Sequence, residues 1–208
     1  MTPACKKLLF APLSTPSPTG FEFSGERKWM DYTRQFSDRV ESDSYGTAWA
    51  TLEGSSKKPK HFMFEAHADE IGYMVKYISK DGFLSVDRVG GGDATTARGR
   101  SVDILGDKGT VRGIIGNSDI YIQEDRENGK APKAYELWID IGATSDKEVA
   151  KAGVRVGHPA VYSETVEEFG PHRLFGRALD NRVGGFIIPK SWQDLAKARN
   201  TSLPPSSL

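Results

Sequence analysis

The chain has 208 residues, enough for one large domain or two small ones with a buried core. Its Lys+Arg count of 28 equals its Asp+Glu count of 28, giving a formal charge of +0, so no global field gathers nucleic acid or anionic lipid. The one cysteine, Cys5, allows no internal disulfide, and no run approaches the ~18 apolar residues of a membrane helix, so a soluble cytoplasmic protein with neither nucleic acid nor membrane as partner is expected.

The first residues contain few apolar side chains before Pro12 and Pro16, which does not read as a secretory signal. Pro16, Pro18 and Gly20 then mark a turn-rich segment. Over 25–37, Trp29, Tyr32 and Phe36 recur at helical spacing, which predicts an amphipathic helix with Ser24 as its cap. β-Formers at 47–52 and 62–66, joined by a polar loop, predict two sheet strands, the second ending at His67. The lysines at 57, 58 and 60 have no interleaved aromatics and read as a solvated loop tip.

Past Ile71 the pattern becomes short strands and tight turns. Asp81-Gly82 separates 74–78 from 83–86, and the 106–109 turn separates 102–105 from 110–112, which predicts two hairpins. Gly90-Gly91-Gly92-Asp93 lacks phosphate-loop spacing and reads as a β-domain turn. A strand follows at 137–141, then a short helix with Ser145 and Glu148 at capping-box spacing and Gly153 at its end. Strands are expected at 154–161 and 174–178, and a helix from 183 to 188, where Pro189 interrupts it; 201–208 reads as a disordered tail. The organisation expected is an α/β domain, 1–71 and 168–208, split by a β-rich insertion at 72–167.

The chemistry concentrates at two places. In 62–72, an apolar run ends in His67-Ala68-Asp69, and the i, i+2 spacing puts an imidazole and a carboxylate on one face of an extended segment. The imidazole suits a divalent ion, and the carboxylate suits the imidazole. Far downstream, Asp180 opens the last helix and carries a carboxylate able to bridge two cations. Two such ions would generate a hydroxide and polarise a carbonyl, the equipment of amide hydrolysis. The residues alone leave plainer readings open: a buried core histidine for His67 and an ordinary helix N-cap for Asp180. Glu65 reads as a surface pairing group, Glu70 as either support for the pair or a salt-bridge partner, and His61, His158 and His172 as solvated.

Four blocks in order carry a family likeness: 17–22 (Ser17-Pro18-Thr19-Gly20-Phe21-Glu22), 66–75 around His67 and Asp69, 137–143 from Leu137, and 176–184 around Asp180. Through them the chain resembles the di-metal aminopeptidases of the glutamyl aminopeptidase type, whose assemblies are tetrahedral and whose members are often labelled endoglucanases. The resemblance implies two divalent ions, zinc or cobalt, with His67 holding one, Asp180 bridging both and Asp69 serving the catalytic site by orienting His67. It implies peptide substrates, a zinc-peptidase-like α/β sandwich, partial here, and an inserted β-barrel-like dimerisation domain that makes the protein a homo-oligomer. Asn181 departs from the family's second aspartate, and the family's paired glutamates, later aspartate and last histidine would fall beyond Leu208. An aminopeptidase incomplete or inactive as this chain is therefore expected, with a non-catalytic assembly module as the alternative. No carboxylate pair flanked by sugar-stacking aromatics supports polysaccharide hydrolysis.

Overall fold

The structure is a computed structural model and describes residues 3–54, 56–117 and 133–201; the tail from 202 onward, expected to be disordered, lies outside the described residues. The chain forms two compact units, Glu70–Thr165 and the combination of Met1–Asp69 with Val166–Leu208.

The Glu70–Thr165 unit is a closed six-stranded barrel. Strands β3 (Gly72–Ile78), β4 (Leu84–Val89), β5 (Ser101–Gly106), β6 (Gly109–Gly116), β7 (Trp138–Asp140) and β8 (Pro159–Tyr162) are ordered β3-β4-β7-β6-β5-β8, and β8 pairs back onto β3. Alternation does the sorting: Val75, Leu84, Val86, Val102, Ile104 and Ile139 face inward and are fully buried, while polar neighbours such as Lys76, Asp87 and Arg112 face out. Among the described residues, closure leaves the barrel no unpaired sheet edge.

Helix α3 (Ala94–Ala97) starts at Asp93, whose carboxylate accepts the Thr95 N–H at 2.8 Å, so the glycine-rich stretch before it is a turn into a helix. Helix α4 (Asp146–Ala152) has the predicted ends, with Ser145 Oγ accepting the Glu148 N–H and Gly153 in the left-handed conformation. Inside the barrel, the Tyr73 and Tyr162 hydroxyls meet at 2.9 Å, and burial raises the Tyr73 pKa, keeping that phenol neutral. His158 corrects the sequence reading. It is buried, with Nδ1 accepting the Arg155 N–H and Nε2 donating to Asp107, because it ties the β5–β6 turn to the loop before β8.

The other unit opens with a helix the sequence did not announce, α1 (Pro3–Leu13), whose Leu9 and Leu13 are buried with Val166 against Leu174, Leu179 and Phe186. Helix α2 (Phe23–Thr33) begins earlier than predicted, at Glu22, so Ser24 lies inside it and is not its cap. Two hairpins follow the antiparallel rule, β1 (Arg39–Ser42) with β2 (Ala48–Thr51) and β9 (Glu167–Phe169) with β10 (Arg173–Phe175). The predicted strand at 62–66 is irregular chain that pairs with no strand among the described residues. Phe62, Met63 and Phe64 stay largely exposed there, although Phe64 meets Trp192 edge to face. High β-propensity does not make a strand unless a neighbour takes the backbone groups.

The last helix, α5 (Leu179–Thr201), runs straight through Pro189, against the expected break. A proline has no N–H for the carbonyl four residues earlier, here Gly185. That carbonyl is supplied from outside: Trp29 Nε1 on α2 donates to Gly185 O at 3.0 Å. The indole thus replaces the missing helical donor. Trp29→Phe is expected to lower stability by roughly 1–2 kcal/mol by orphaning this half-buried carbonyl, read as a lower urea midpoint at unchanged slope. Adding Pro189→Ala should return a helical donor and recover part of the loss; an unchanged midpoint in Trp29→Phe would refute the role.

Candidate metal centre

His67 and Asp69 sit on the irregular segment that follows the exposed 62–66 stretch, and Asp180 sits where the chain enters α5. Entry is abrupt. Ala178 takes φ +59, rare for a residue with a side chain, the Asp180–Asn181 peptide is cis, and both of these residues have non-helical backbone angles. The oxygen that caps the helix comes from Asn181, whose Oδ1 accepts the Gly184 N–H at 3.3 Å. Asp180 is therefore not the capping residue, and its carboxylate, 96% exposed, turns elsewhere.

It turns to His67. Asp180 Oδ1 lies 3.1 Å from His67 Nε2, and on the other side of the ring Asp69 Oδ1 lies 2.8 Å from Nδ1. The second oxygen of Asp69 is held by the Thr19 hydroxyl, which donates to Oδ2 at 2.5 Å. All three predicted residues thus come together, and Thr19 joins them from 50 positions away in sequence. Nothing in local spacing signals Thr19; it lies inside the 17–22 block but carries no motif chemistry of its own. Of the flanking acids, Glu70 is buried and Glu65 is exposed; His61 and His172 are exposed and take no part.

The protons decide what this arrangement wants. In the neutral ring with Nδ1–H donated to Asp69, the Nε2 lone pair faces the lone pairs of Asp180 Oδ1, and two acceptors at that range repel unless a cation lies between them. The ring can hold a proton there: partial burial lowers the His67 pKa, but the hydrogen bonds and charges of Asp180 and Asp69 outweigh it and raise it above the ordinary imidazole value. A divalent ion satisfies the same gap. Two ligands at ~2.0–2.1 Å around a tetrahedral ion stand about 3.3 Å apart, close to the 3.1 Å observed.

The donor set fits an ion only in part. Among the described residues no cluster of three or more His, Cys, Asp or Glu surrounds a common point, because Asp69 faces the far ring nitrogen. Among the described residues the centre offers one nitrogen and one oxygen, with an orienting carboxylate behind the nitrogen.

An imidazole and a carboxylate turned to one point on an α/β scaffold is a donor pair suited to a hydrolytic metal centre. The M42 glutamyl aminopeptidase family model matches residues 46–203, and the chain belongs to that family. A lysyl aminopeptidase of Pyrococcus furiosus is 29% identical over 173 residues, 82% of this chain and 49% of that protein. A TET aminopeptidase from the marine sediment archaeon Thaumarchaeota archaeon SCGC AB-539-E09 superposes with TM-score 0.87 at 28% identity, over 95% of this chain and 55% of that one. The Pyrococcus horikoshii TET1 peptidase, which assembles into a tetrahedron or a large octahedral shell, superposes with TM-score 0.80 at 27% identity, over 94% and 57%. The chain spans about half the length of the curated relatives it matches.

Proposed function

We propose that this chain supplies part of the two-ion centre of a metal-dependent aminopeptidase acting on the free amino end of peptides. The observation that carries the reading is the approach of His67 Nε2 to Asp180 Oδ1 at 3.1 Å with Asp69 behind the ring. In this reading His67 would hold one ion, Asp180 would bridge both and Asp69 would orient His67. Bound ions would lower the pKa of a water and polarise the scissile carbonyl. The chain's own part is to keep Nδ1 protonated toward Asp69, so that Nε2 presents a lone pair, and to hold the Asp180 carboxylate open to solvent.

Because the relatives are about twice as long, we assign the general base and the remaining ligands to the portion of them that this chain does not match. Nitrogen and oxygen donors accept zinc and cobalt alike. Residues 1–71 and 168–208 are assigned to the zinc-peptidase-like α/β sandwich and 72–167 to a dimerisation domain. Self-association is supported by the shells formed by the Pyrococcus horikoshii relative, and a reducing cytoplasm suits a chain with one cysteine. One feature favours the second reading, an assembly module without catalysis: the barrel closes on its own core while, among the described residues, only two donors meet at the centre.

The chain with zinc or cobalt added is expected to leave leucyl- and glutamyl-anilides intact. Extended by a segment equivalent to the unmatched half of the Pyrococcus furiosus relative, it is expected to cleave them. Turnover by the 208-residue chain alone would overturn the assignment of the base elsewhere. Dimers that persist while no metal is retained by either form would favour the assembly reading.

A further inference from the structure

The two proposed ligands are poorly held by their own surroundings: the His67 side chain is 53% exposed and that of Asp180 is 96% exposed. Their spacing must come from the backbone beneath them. A guanidinium ties that backbone together, that of Arg182, a residue only 4% exposed. Nε donates to Ala68 O at 3.0 Å, Nη1 to Pro12 O at 2.8 Å and Thr15 O at 2.6 Å, and Nη2 reaches Ser17 O at 3.5 Å.

These carbonyls stand at strategic points. Ala68 is the residue between His67 and Asp69, and Arg182 itself lies two residues past Asp180. Its Nε–H to Ala68 O is thus a strut joining the two arms of the centre. The bonds to Pro12, Thr15 and Ser17 fix the turn that carries Thr19, whose hydroxyl grips Asp69, which in turn grips His67. One planar fork therefore sets both the backbone under His67 and the carboxylate that orients its ring. A lysine ammonium presents its donors from a single point and does not span carbonyls lying in different directions.

We infer that Arg182 is a positioning residue that fixes the His67–Asp180 spacing for a divalent ion. The inference rests on the proposed metal centre but makes a separate demand on the metal-free chain. Two measurements on the 208-residue protein test it: hydrogen exchange of residues 66–70 without metal, and Co(II) titration followed by its visible absorption. The variants are Arg182→Met, Arg182→Lys and Leu9→Ala, the last a core truncation on α1 at a residue that makes none of these bonds.

Arg182→Met is expected to weaken Co(II) binding ~10–100-fold, as loss of groups that orient ligands does, and to speed exchange at 66–70 about ten-fold. Arg182→Lys should recover only part of both, and it carries the test if the methionine variant does not fold. Leu9→Ala should lower stability while Co(II) binding and exchange at 66–70 stay close to the parent. An Arg182→Met or Arg182→Lys protein matching the parent in exchange overturns the inference, as does a Leu9→Ala protein that loses as much cobalt affinity. If the parent takes up no cobalt, the metal-centre reading fails, and unchanged exchange in the Arg182 variants would show separately that Arg182 does not position the arms.

Discussion

Asp180→Ala and His67→Ala are each expected to reduce Co(II) or zinc affinity by roughly 100-fold or more, because each removes a donor of the pair that the described residues turn toward a common point. Asp69→Ala should do less, ~10–100-fold, since it removes the group that fixes the ring and its tautomer and leaves the Nε2 donor in place. The order Asp180 ≈ His67 > Asp69 is the signature of the proposed roles. The pH dependence follows from the same pair. Protons compete with the ion for Nε2, and although partial burial lowers the His67 pKa, Asp180 and Asp69 raise it overall. Affinity should therefore begin to fall, as pH is lowered, at a pH above that of an ordinary histidine ligand. Isothermal titration of the parent and three variants across a pH series checks both points. Equal losses in all three variants, or an affinity flat through the imidazole range, would dismiss this division of labour.

What the residues disclosed and what they hid divide along local and non-local lines. Turn and cap chemistry is local: Asp81-Gly82 joins β3 to β4, the 106–109 turn joins β5 to β6, and Ser145 with Gly153 bounds α4, each within a few residues of its cause. The exceptions needed a partner from elsewhere. The 62–66 run has strand composition yet pairs with no strand among the described residues, and the carbonyl that Pro189 leaves without a helical donor takes an indole N–H from α2. The centre shows the same split. The i, i+2 spacing sets His67 beside Asp69, but Asp180 is 113 positions away from His67, and for it the residues alone left an ordinary N-cap reading open. Asn181 stands where the family likeness has a second aspartate. An amide oxygen accepts the Gly184 N–H as a carboxylate would, so the departure from two consecutive aspartates keeps the capping contact while removing a charge.

Gly82→Ala is expected to be the most damaging single-atom change in the barrel. Gly82 sits in the β3–β4 turn at φ +87, a conformation that costs a residue bearing Cβ about 1–2 kcal/mol. A second cost is specific to this site. A Cβ built there would lie 2.4 Å from Ala143 O and 3.0 Å from Ser145 N, backbone atoms at the start of α4 that no rotamer change can move. Relief requires shifting the turn, which is held by Ser79 N–H to Phe83 O at 2.9 Å and Gly82 N–H to Ser79 O at 3.1 Å, or shifting the α4 cap. Overpacking of this kind adds ~1–3 kcal/mol, for a total of roughly 2–5 kcal/mol. Gly142 provides the control, because it has φ +76 and a Cβ added there would meet nothing within 4 Å. Gly142→Ala should therefore show the backbone cost alone, about 1–2 kcal/mol. Thermal unfolding monitored by near-ultraviolet dichroism would separate the two, with Gly82→Ala melting well below Gly142→Ala. Equal midpoints would mean that the Ala143 carbonyl yields without resistance and that the β3–β4 turn is not locked against α4.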